Sequence, residues 1–198
     1  MSANVRQSIR IPIVNQEADF VTFAGLADTG EHIALGLGPW KTTDTPLVRI
    51  HSECLTGDVF GSRKCDCGEQ LHESIQKISQ VGGIVLYLRQ EGRGIGLYNK
   101  LDAYALQAKG YDTYEANRRL GLQDDLRNYT VAAQMLQALN ISKIKLLTNN
   151  PDKIIQLNKL GIQIIKEVST GVFLKPENKK YLETKVLKTH HRIGLAHV

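Results

Sequence analysis

The spacing of apolar residues divides the chain into a strand-rich beginning and a longer part in which helices and strands alternate. Up to residue 51, short runs of alternating or β-branched residues are separated by turn residues such as those at 28–30, a pattern typical of β-strands. The strands predicted from this pattern are 8–14, 19–26, 33–37 and 47–51.

From residue 69 onward, the apolar residues follow the helical period or form short continuous runs. Leu71, Ile75 and Ile78 share one face of a predicted helix, which Gly82 and Gly83 end. The same reasoning predicts helices at 69–81, 95–109, 130–139 and 151–160, and buried strands at 84–88, 143–147 and 162–168.

Strands that alternate with helices predict an α/β (α+β) fold, with a β-rich N-terminal part followed by a mixed sheet with flanking helices. Because no repeat and no Pro/Ser-rich or Gly/Ser-rich linker divides the chain, we expect a single compact domain over residues 1–198. The motifs that carry chemistry lie between about 45 and 170, and the basic tail at 175–198 receives no predicted element.

Composition and charge narrow the class of protein. Hydrophobic residues make up 42% and charged residues 23% of the 198, which excludes a disordered or low-complexity chain. No apolar run approaches the roughly 20 residues of a membrane span, and residues 1–10 lack the apolar stretch of a signal peptide. We therefore expect a cytoplasmic protein with no membrane partner.

The net charge of +5 suits an anionic partner. Aromatic residues are not interleaved with basic clusters in the way that stacks single-stranded bases. A small phosphorylated ligand is therefore favoured over nucleic acid.

The three cysteines of the chain, Cys54, Cys65 and Cys67, lie close together in the sequence. Their odd number argues against a disulfide framework, which leaves buried unreactive thiols or a metal site, and thiolates in this number favour zinc. Three protein ligands leave a fourth position for water, as in catalytic zinc sites, whereas His51 or His72 as a fourth ligand would close a structural site. The spacing leaves both kinds of site open.

A polar, glycine-rich loop at 90–96 follows a predicted strand and opens a predicted helix, where backbone N–H groups can hold an anion. Glu91 and Arg93 flank Gly92 and offer an acceptor for a base edge and a donor for a phosphate, although such turns are often only loop geometry. The spacing G-x-G-x-G differs from the dinucleotide fingerprint, which excludes a nicotinamide cofactor here.

Two further stretches have polar residues at positions where a ligand could bind. Thr148 and Lys153 surround the start of the predicted helix at 151–160, where an anion site and a simple helix cap are the alternatives. Asp125 and Arg127 stand in a loop, where a solvated ion pair is the common alternative to a functional pair.

Taken in order along the chain, these motifs resemble those of the GTP cyclohydrolase II family, in its monofunctional form, which opens riboflavin biosynthesis. The match runs from about 45 to about 170. The matching stretches are RIHSECLTGD at 49–58, CDCGEQ at 65–70, RQEGRGIGL at 89–97, AYAL at 103–106, GYDT at 110–113 and LLTNNP at 146–151.

The resemblance implies a role for each matching residue. Cys54, Cys65 and Cys67 would bind one catalytic zinc per chain with water in the fourth position, so the histidines are not ligands. The general base falls on Asp125, which has a second carboxylate, Asp124, beside it. The arginine at the α-phosphate falls on Arg127, and Tyr104 lies beside the purine. The remaining positions that the resemblance places around GTP are Arg49, Ile50, His51, Ser52, Glu53, Gln70, Glu91, Gly92, Arg93, Thr113, Thr148 and Lys153.

The implied reaction is the zinc-dependent hydrolysis of GTP, with Mg²⁺ on the triphosphate, in an enzyme that forms homodimers. C8 of guanine lies between two ring nitrogens and is electrophilic, so zinc-activated water can open the imidazole ring and release formate. Loss of diphosphate develops charge that needs Arg and Lys donors. The expected product is a diaminopyrimidinone that carries ribosylamine 5-phosphate.

Two other functions remain open at this point. One is a related GTP hydrolase that stops at the formamide, against which Tyr104 argues. The other is a non-catalytic zinc module, closed by a fourth protein ligand, that binds nucleic acid or protein.

Overall fold

A mixed seven-stranded sheet is the frame of the protein. The computed structural model describes residues 2–14, 16–123, 125–189 and 192, and the backbone alone at 113, 114, 188 and 189. The strands are β1 (Asn4–Ile13), β2 (Gln16–Ala24), β3 (Ile33–Leu37), β4 (Leu47–Ser52), β5 (Gly83–Leu88), β6 (Lys143–Leu147) and β7 (Gln163–Val168). Their order in the sheet is β1-β2-β3-β5-β4-β6-β7.

Seven α-helices connect or cover these strands in the described part of the chain. They are α1 (Leu55–Asp58), α2 (Cys67–Val81), α3 (Leu97–Gln107), α4 (Thr113–Arg119), α5 (Thr130–Ala138), α6 (Pro151–Lys159) and α7 (Lys179–Thr189), with 3₁₀ turns at Glu91–Gly94 and Pro176–Asn178. No helix among the described residues is both long and apolar enough to cross a membrane.

The sheet has an antiparallel half and a parallel half, which meet at β5. Strands β1, β2, β3 and β5 pair antiparallel in that order. Strand β4 pairs parallel with both β5 and β6, and β6 pairs parallel with β7. The carboxyl ends of the parallel strands therefore meet at one edge, where open α/β sheets generally bind their ligands.

The core lies on both faces of the central strands. Ile84 and Leu86 pack with Met135 of α5 on one face, whereas Val85 packs with Ile78 of α2 on the other. All five side chains are fully buried. Because both faces are covered, these strands have continuous apolar sequences, which is the pattern that predicted them.

The predicted fold class is confirmed: strands begin the chain, and a mixed sheet with flanking helices follows. The predicted strands 33–37 and 143–147 have the observed bounds, and the other predicted elements differ at their ends. The largest difference is β1, which begins at Asn4 rather than at 8. Its residues are mostly exposed, so no apolar alternation marks where the strand begins.

The sequence analysis missed three helices. It left no element at α1 or α4, and it assigned no fold to the tail, where α7 forms after a 3₁₀ turn. The loop at 90–96 also contains a 3₁₀ turn, in which Gly92 and Arg93 have φ near +60°. Consequently α3 begins at Leu97, two residues later than predicted.

Candidate active site

A cavity opens at the carboxyl edge of the parallel strands. Strand β4 and the residues after it form one side, and the 3₁₀ turn after β5 and the loop after β6 form others. Residues of α2, α3 and α7, together with Arg127 and Thr170, complete the wall. The lining residues are Arg49, His51, Ser52, Glu53, Cys54, Cys65, Cys67, Gln70, Glu91, Gly92, Arg93, Lys100, Tyr104, Arg127, Thr148, Asn149, Asn150, Lys153, Thr170, Tyr181 and Lys185.

The three cysteines converge in this cavity. Their sulfur atoms all lie within 4.8 Å of one another, and the Cys54 and Cys65 sulfurs are 3.6 Å apart. Two sulfurs bound to a tetrahedral zinc at about 2.3 Å would be about 3.8 Å apart. Glycine at position 57 makes room for the group, because a Cβ there would lie 2.9 Å from the Cys65 sulfur. The donor set therefore fits one zinc ion.

The protonation of the thiols is uneven. Hydrogen bonds from Cys65 and Cys67 hold the pKa of the Cys54 thiol far below its usual range. The hydrogen bond to Cys54 in turn raises the pKa of Cys65 to about 11. Of these two thiols, Cys54 is the one that deprotonates more readily, and the thiolate is the form that binds metal.

No histidine joins the group of candidate metal ligands among the described residues. His72 is exposed on α2. The Nε2 atom of His51 instead lies 3.0 Å from Asp58 Oδ2, which also accepts hydrogen bonds from the Tyr87 hydroxyl and the Cys54 backbone N–H. Burial lowers the pKa of His51. The described residues therefore favour the open, three-ligand arrangement over the closed one.

Lys100, on α3, connects the cysteines to the glycine-rich turn. Its ammonium donates hydrogen bonds to the Cys54 sulfur at 3.1 Å and to Glu91 Oε1 at 2.8 Å. Burial would lower the pKa of Lys100, but the Glu91 carboxylate and the Cys54 charge raise it overall. A fixed positive charge therefore lies beside the thiolates.

The Glu91 carboxylate is held by the protein on both of its oxygens. Oε2 accepts a hydrogen bond of 2.6 Å from the Leu55 backbone N–H, and Oε1 accepts from Lys100 and from the Gly92 backbone N–H. A carboxylate has about four acceptor positions, so some capacity remains for a ligand. Glu91 is thus rigidly oriented in the wall of the cavity.

Arg49, Arg127 and Lys153 form a cluster of positive charges on another part of the cavity wall. Lys153 donates to the Ile50 carbonyl oxygen at 2.7 Å, and Arg49 donates to Gln70 Oε1 at 2.9 Å, so both have neutral partners. Burial lowers the pKa of Lys153 well below its usual value, and the charges of Arg49 and Arg127 lower it further. An anionic ligand would relieve this repulsion.

Among the described residues, three buried side-chain atoms have no hydrogen-bond partner: Arg49 Nε, His51 Nδ1 and Thr170 Oγ1. All three residues line the cavity. An unsatisfied buried polar group costs about 1–3 kcal/mol, so each of these atoms would be stabilised by a partner that a ligand or an ordered water supplies.

Arg127 reaches the cavity from the loop before α5. Its guanidinium donates to both Asp125 oxygens, at 2.9 and 2.5 Å. Burial would raise the pKa of Asp125, but the Arg127 guanidinium lowers it overall. The carboxylate thus fixes the arginine in a planar, bidentate orientation.

Comparison with known proteins shows which family the chain belongs to. The family model of GTP cyclohydrolase II matches residues 4–169. The chain belongs to the GTP cyclohydrolase II family. It is therefore a hydrolase of a family that acts in riboflavin biosynthesis.

Three relatives illustrate the family. The GTP cyclohydrolase-2 of Vibrio parahaemolyticus is 56% identical over 180 residues, which cover 90% of this chain and 91% of that protein. The GTP cyclohydrolase-2 of Vibrio cholerae is 56% identical over 182 residues, 91% of this chain and 92% of that protein. The riboflavin biosynthesis protein RibBA of Bacillus cereus is 52% identical over 183 residues, which cover 89% of this chain but only 46% of that protein.

Most positions that match the motifs of the GTP cyclohydrolase II family meet in the cavity, and among the fully described ones Ile50 and Asp125 do not line it. The Ile50 side chain is buried in the core, and its carbonyl oxygen accepts a hydrogen bond from Lys153, which lines the cavity. The Asp125 carboxylate accepts hydrogen bonds from Arg127, which also lines the cavity. The side chain of Thr113 and the whole of Asp124 lie outside the described residues.

Six lining residues were not found from the sequence: Lys100, Asn149, Asn150, Thr170, Tyr181 and Lys185. Asn149 and Asn150 lie inside the stretch LLTNNP, which resembles the family, so that motif is the signal that marks them. Tyr181 and Lys185 belong to α7, beyond the residues matched by the family model, and no local signal marked them.

Proposed function

We propose that this protein hydrolyses GTP at C8 of the guanine, releases formate and diphosphate, and forms a diaminopyrimidinone that carries ribosylamine 5-phosphate. One observation carries the proposal: a single cavity contains a zinc-compatible cysteine group, a buried carboxylate and two buried cations, Arg49 and Lys153, with neutral partners. These are the three kinds of group that a purine ring, its polar edge and a polyphosphate require.

Cys54, Cys65 and Cys67 would hold the metal, since their sulfur atoms converge within 4.8 Å. A zinc ion in this group would supply Lewis-acid chemistry for hydrolysis of the purine ring. The Lys100 ammonium, 3.1 Å from the Cys54 sulfur, would balance part of the negative charge of three thiolates.

The base and the sugar would be oriented by the polar wall. Glu91 would accept hydrogen bonds from N1–H and the exocyclic amine of guanine, a pattern that adenine does not offer. Gln70 would help to orient the purine, and Tyr104 would lie beside it. By pairing with the polar edge of guanine, Glu91 would select GTP over ATP.

The phosphates would be bound by the cationic wall. Arg49 and Lys153 have neutral protein partners and would gain anionic ones. Arg127 would stabilise the charge that develops at the α-phosphate, and Asp125 would serve as general base beside it. We further propose, from the family resemblance, that Mg²⁺ accompanies the triphosphate and that the enzyme works as a cytoplasmic homodimer.

The decisive experiment incubates the purified zinc-loaded protein with GTP and Mg²⁺ and measures formate, diphosphate and the pyrimidine separately. We expect all three products, and little turnover of ATP. Zinc-loaded protein that forms none of them would contradict the proposal and favour the binding module. Accumulation of the formamide without formate would instead assign the related hydrolase that stops there.

A further inference from the structure

Thr170 is held rigidly in the cavity wall with its hydroxyl unused. It follows the end of β7 by two residues, and it is only 6% exposed. Its backbone N–H donates to Asn149 Oδ1, and its carbonyl oxygen accepts from Asn149 Nδ2, both at 3.1 Å. The Thr170 Oγ1 atom has no hydrogen-bond partner among the described residues. The fold thus buries the hydroxyl of a residue that lines the cavity without satisfying it.

The part of the structure beside Thr170 includes a carboxylate as well as a cation, since the Gly171 backbone N–H donates to Glu73. The next residue, Gly171, has its carbonyl oxygen 3.5 Å from Gln70 Nε2, and Gln70 Oε1 accepts from Arg49. Arg49 also donates to the Leu147 carbonyl oxygen, at the end of the neighbouring strand β6, and its Nε atom has no partner either. Two unpaired donors therefore lie on residues that line the cavity, and such donors suit anionic oxygens.

We propose that the Thr170 hydroxyl is a substrate-binding group that donates a hydrogen bond to a phosphate oxygen of the nucleotide. This inference rests on the proposed function, because it adds a residue to the same nucleotide site. Glu91 provides the acceptors that suit the purine edge, whereas the unpaired donors Thr170 Oγ1 and Arg49 Nε suit the anionic oxygens of the ligand.

Under this proposal, Thr170→Val should not destabilise the free protein but should weaken the complex with the ligand. Thr170→Val keeps the shape of the side chain and removes only the hydroxyl. In the free protein that hydroxyl is buried without a partner, so its removal should leave the thermal midpoint unchanged or higher. In the complex, the same change should remove one hydrogen bond to a charged group.

The test measures the affinities for inorganic diphosphate and for guanosine by calorimetry, with Mg²⁺ present throughout. Thr170→Val should weaken diphosphate binding about tenfold or more, the loss expected for one hydrogen bond to a charged group, and leave guanosine binding unchanged. Thr170→Ser, which keeps a hydroxyl, should retain most of the affinity. The matched control is Thr43→Val, whose exposed hydroxyl donates to the Pro39 carbonyl oxygen outside the cavity.

Unchanged diphosphate affinity in Thr170→Val would overturn the proposal, as would a loss confined to guanosine. A fall in thermal midpoint with equal losses for both ligands would assign Thr170 a structural role instead, and Thr170→Ala repeats the comparison should valine not fit. The proposed function fails separately, since it depends on formate release from GTP by the unaltered protein.

Discussion

The ammonium of Lys100 donates a hydrogen bond of 3.1 Å to the sulfur of Cys54. The two residues are 46 positions apart, and the contact connects α3 to the start of α1 across the cavity. Three thiolates on a divalent ion would leave a net negative charge in a buried site. Lys100 would then act as the counter-charge of the cysteine group.

We predict that Lys100→Met lowers zinc affinity about 10–100-fold, the range typical when an outer partner of a metal ligand is lost. The reason is that one thiolate loses its donor and Glu91 loses its cation. Competition with a chromogenic chelator measures the affinity. Lys77→Met, which removes an exposed ammonium paired with Glu73, is the control and should change nothing. Equal zinc affinity in both variants would rule out the counter-charge role.

We predict that Cys65→Ser loses most of its zinc. A serine hydroxyl is a weaker ligand than a thiolate, and two remaining sulfurs hold the ion poorly. Metal analysis after gel filtration measures the content per chain, expected to be one in the unaltered protein. Full occupancy together with unchanged formate release would show that Cys65 is not a ligand.

The sequence predicted the frame of the fold because the buried strands have continuous apolar sequences and the helices of the core have a clear period. The same signals fail where few residues of an element are fully buried. Strand β1 and helix α7 have few buried residues, and so nothing in their pattern marks where they begin.

The site was predictable only as far as its residues lie in contiguous motifs. Cys54, Cys65 and Cys67 are close in sequence, so they could be grouped without a structure. Lys100 and Thr170 reach the same cavity from distant elements, and each looks ordinary in its own segment. Burial and unpaired atoms identify them, and these are properties of the fold alone.

Glu91→Gln tests whether the carboxylate reads the base. Because Glu91 also accepts from Leu55 and Lys100, the change should lower turnover in any case. If Glu91 also recognises the guanine edge, Glu91→Gln should change the ratio of kcat/KM for GTP to that for inosine triphosphate by about tenfold, because inosine lacks the exocyclic amine. If both substrates lost activity by the same factor, Glu91 would only support the site.

Lys153 should make stability depend on pH. Burial lowers the pKa of Lys153, so the folded protein binds fewer protons there than the unfolded chain does. The free energy of unfolding should then rise with pH between the lowered pKa and about 10.4, the ordinary value for lysine. Lys153→Met should remove this rise and weaken diphosphate binding.

Urea unfolding at several pH values measures the effect on stability. Lys159→Met, an exposed lysine on the same helix, is the control and should keep the pH dependence of the unaltered protein. A Lys153→Met protein with an unchanged pH dependence would mean that burial of the ammonium costs little.

The last prediction separates the two hydrolyses, which take place at opposite ends of the nucleoside. Arg127 lines the cavity, and its guanidinium is oriented by Asp125. If Arg127 stabilises charge at the α-phosphate, Arg127→Ala should lower diphosphate release by about 10²–10³. Cys54→Ser should instead abolish formate release, while diphosphate still forms slowly. Formate and diphosphate are measured separately for each variant.

The alternative role for Arg127 is to order the loop through its ion pair with Asp125. In that case Arg127→Ala and Asp125→Asn should lower both products in the same proportion, because the loop rather than one reaction is disturbed. Arg127→Lys should restore little under the first hypothesis, since lysine does not reproduce the planar guanidinium. Arg10→Ala, which breaks an exposed ion pair with Glu17, controls for the loss of an arginine. Diphosphate release near the unaltered rate in Arg127→Ala would remove Arg127 from the mechanism.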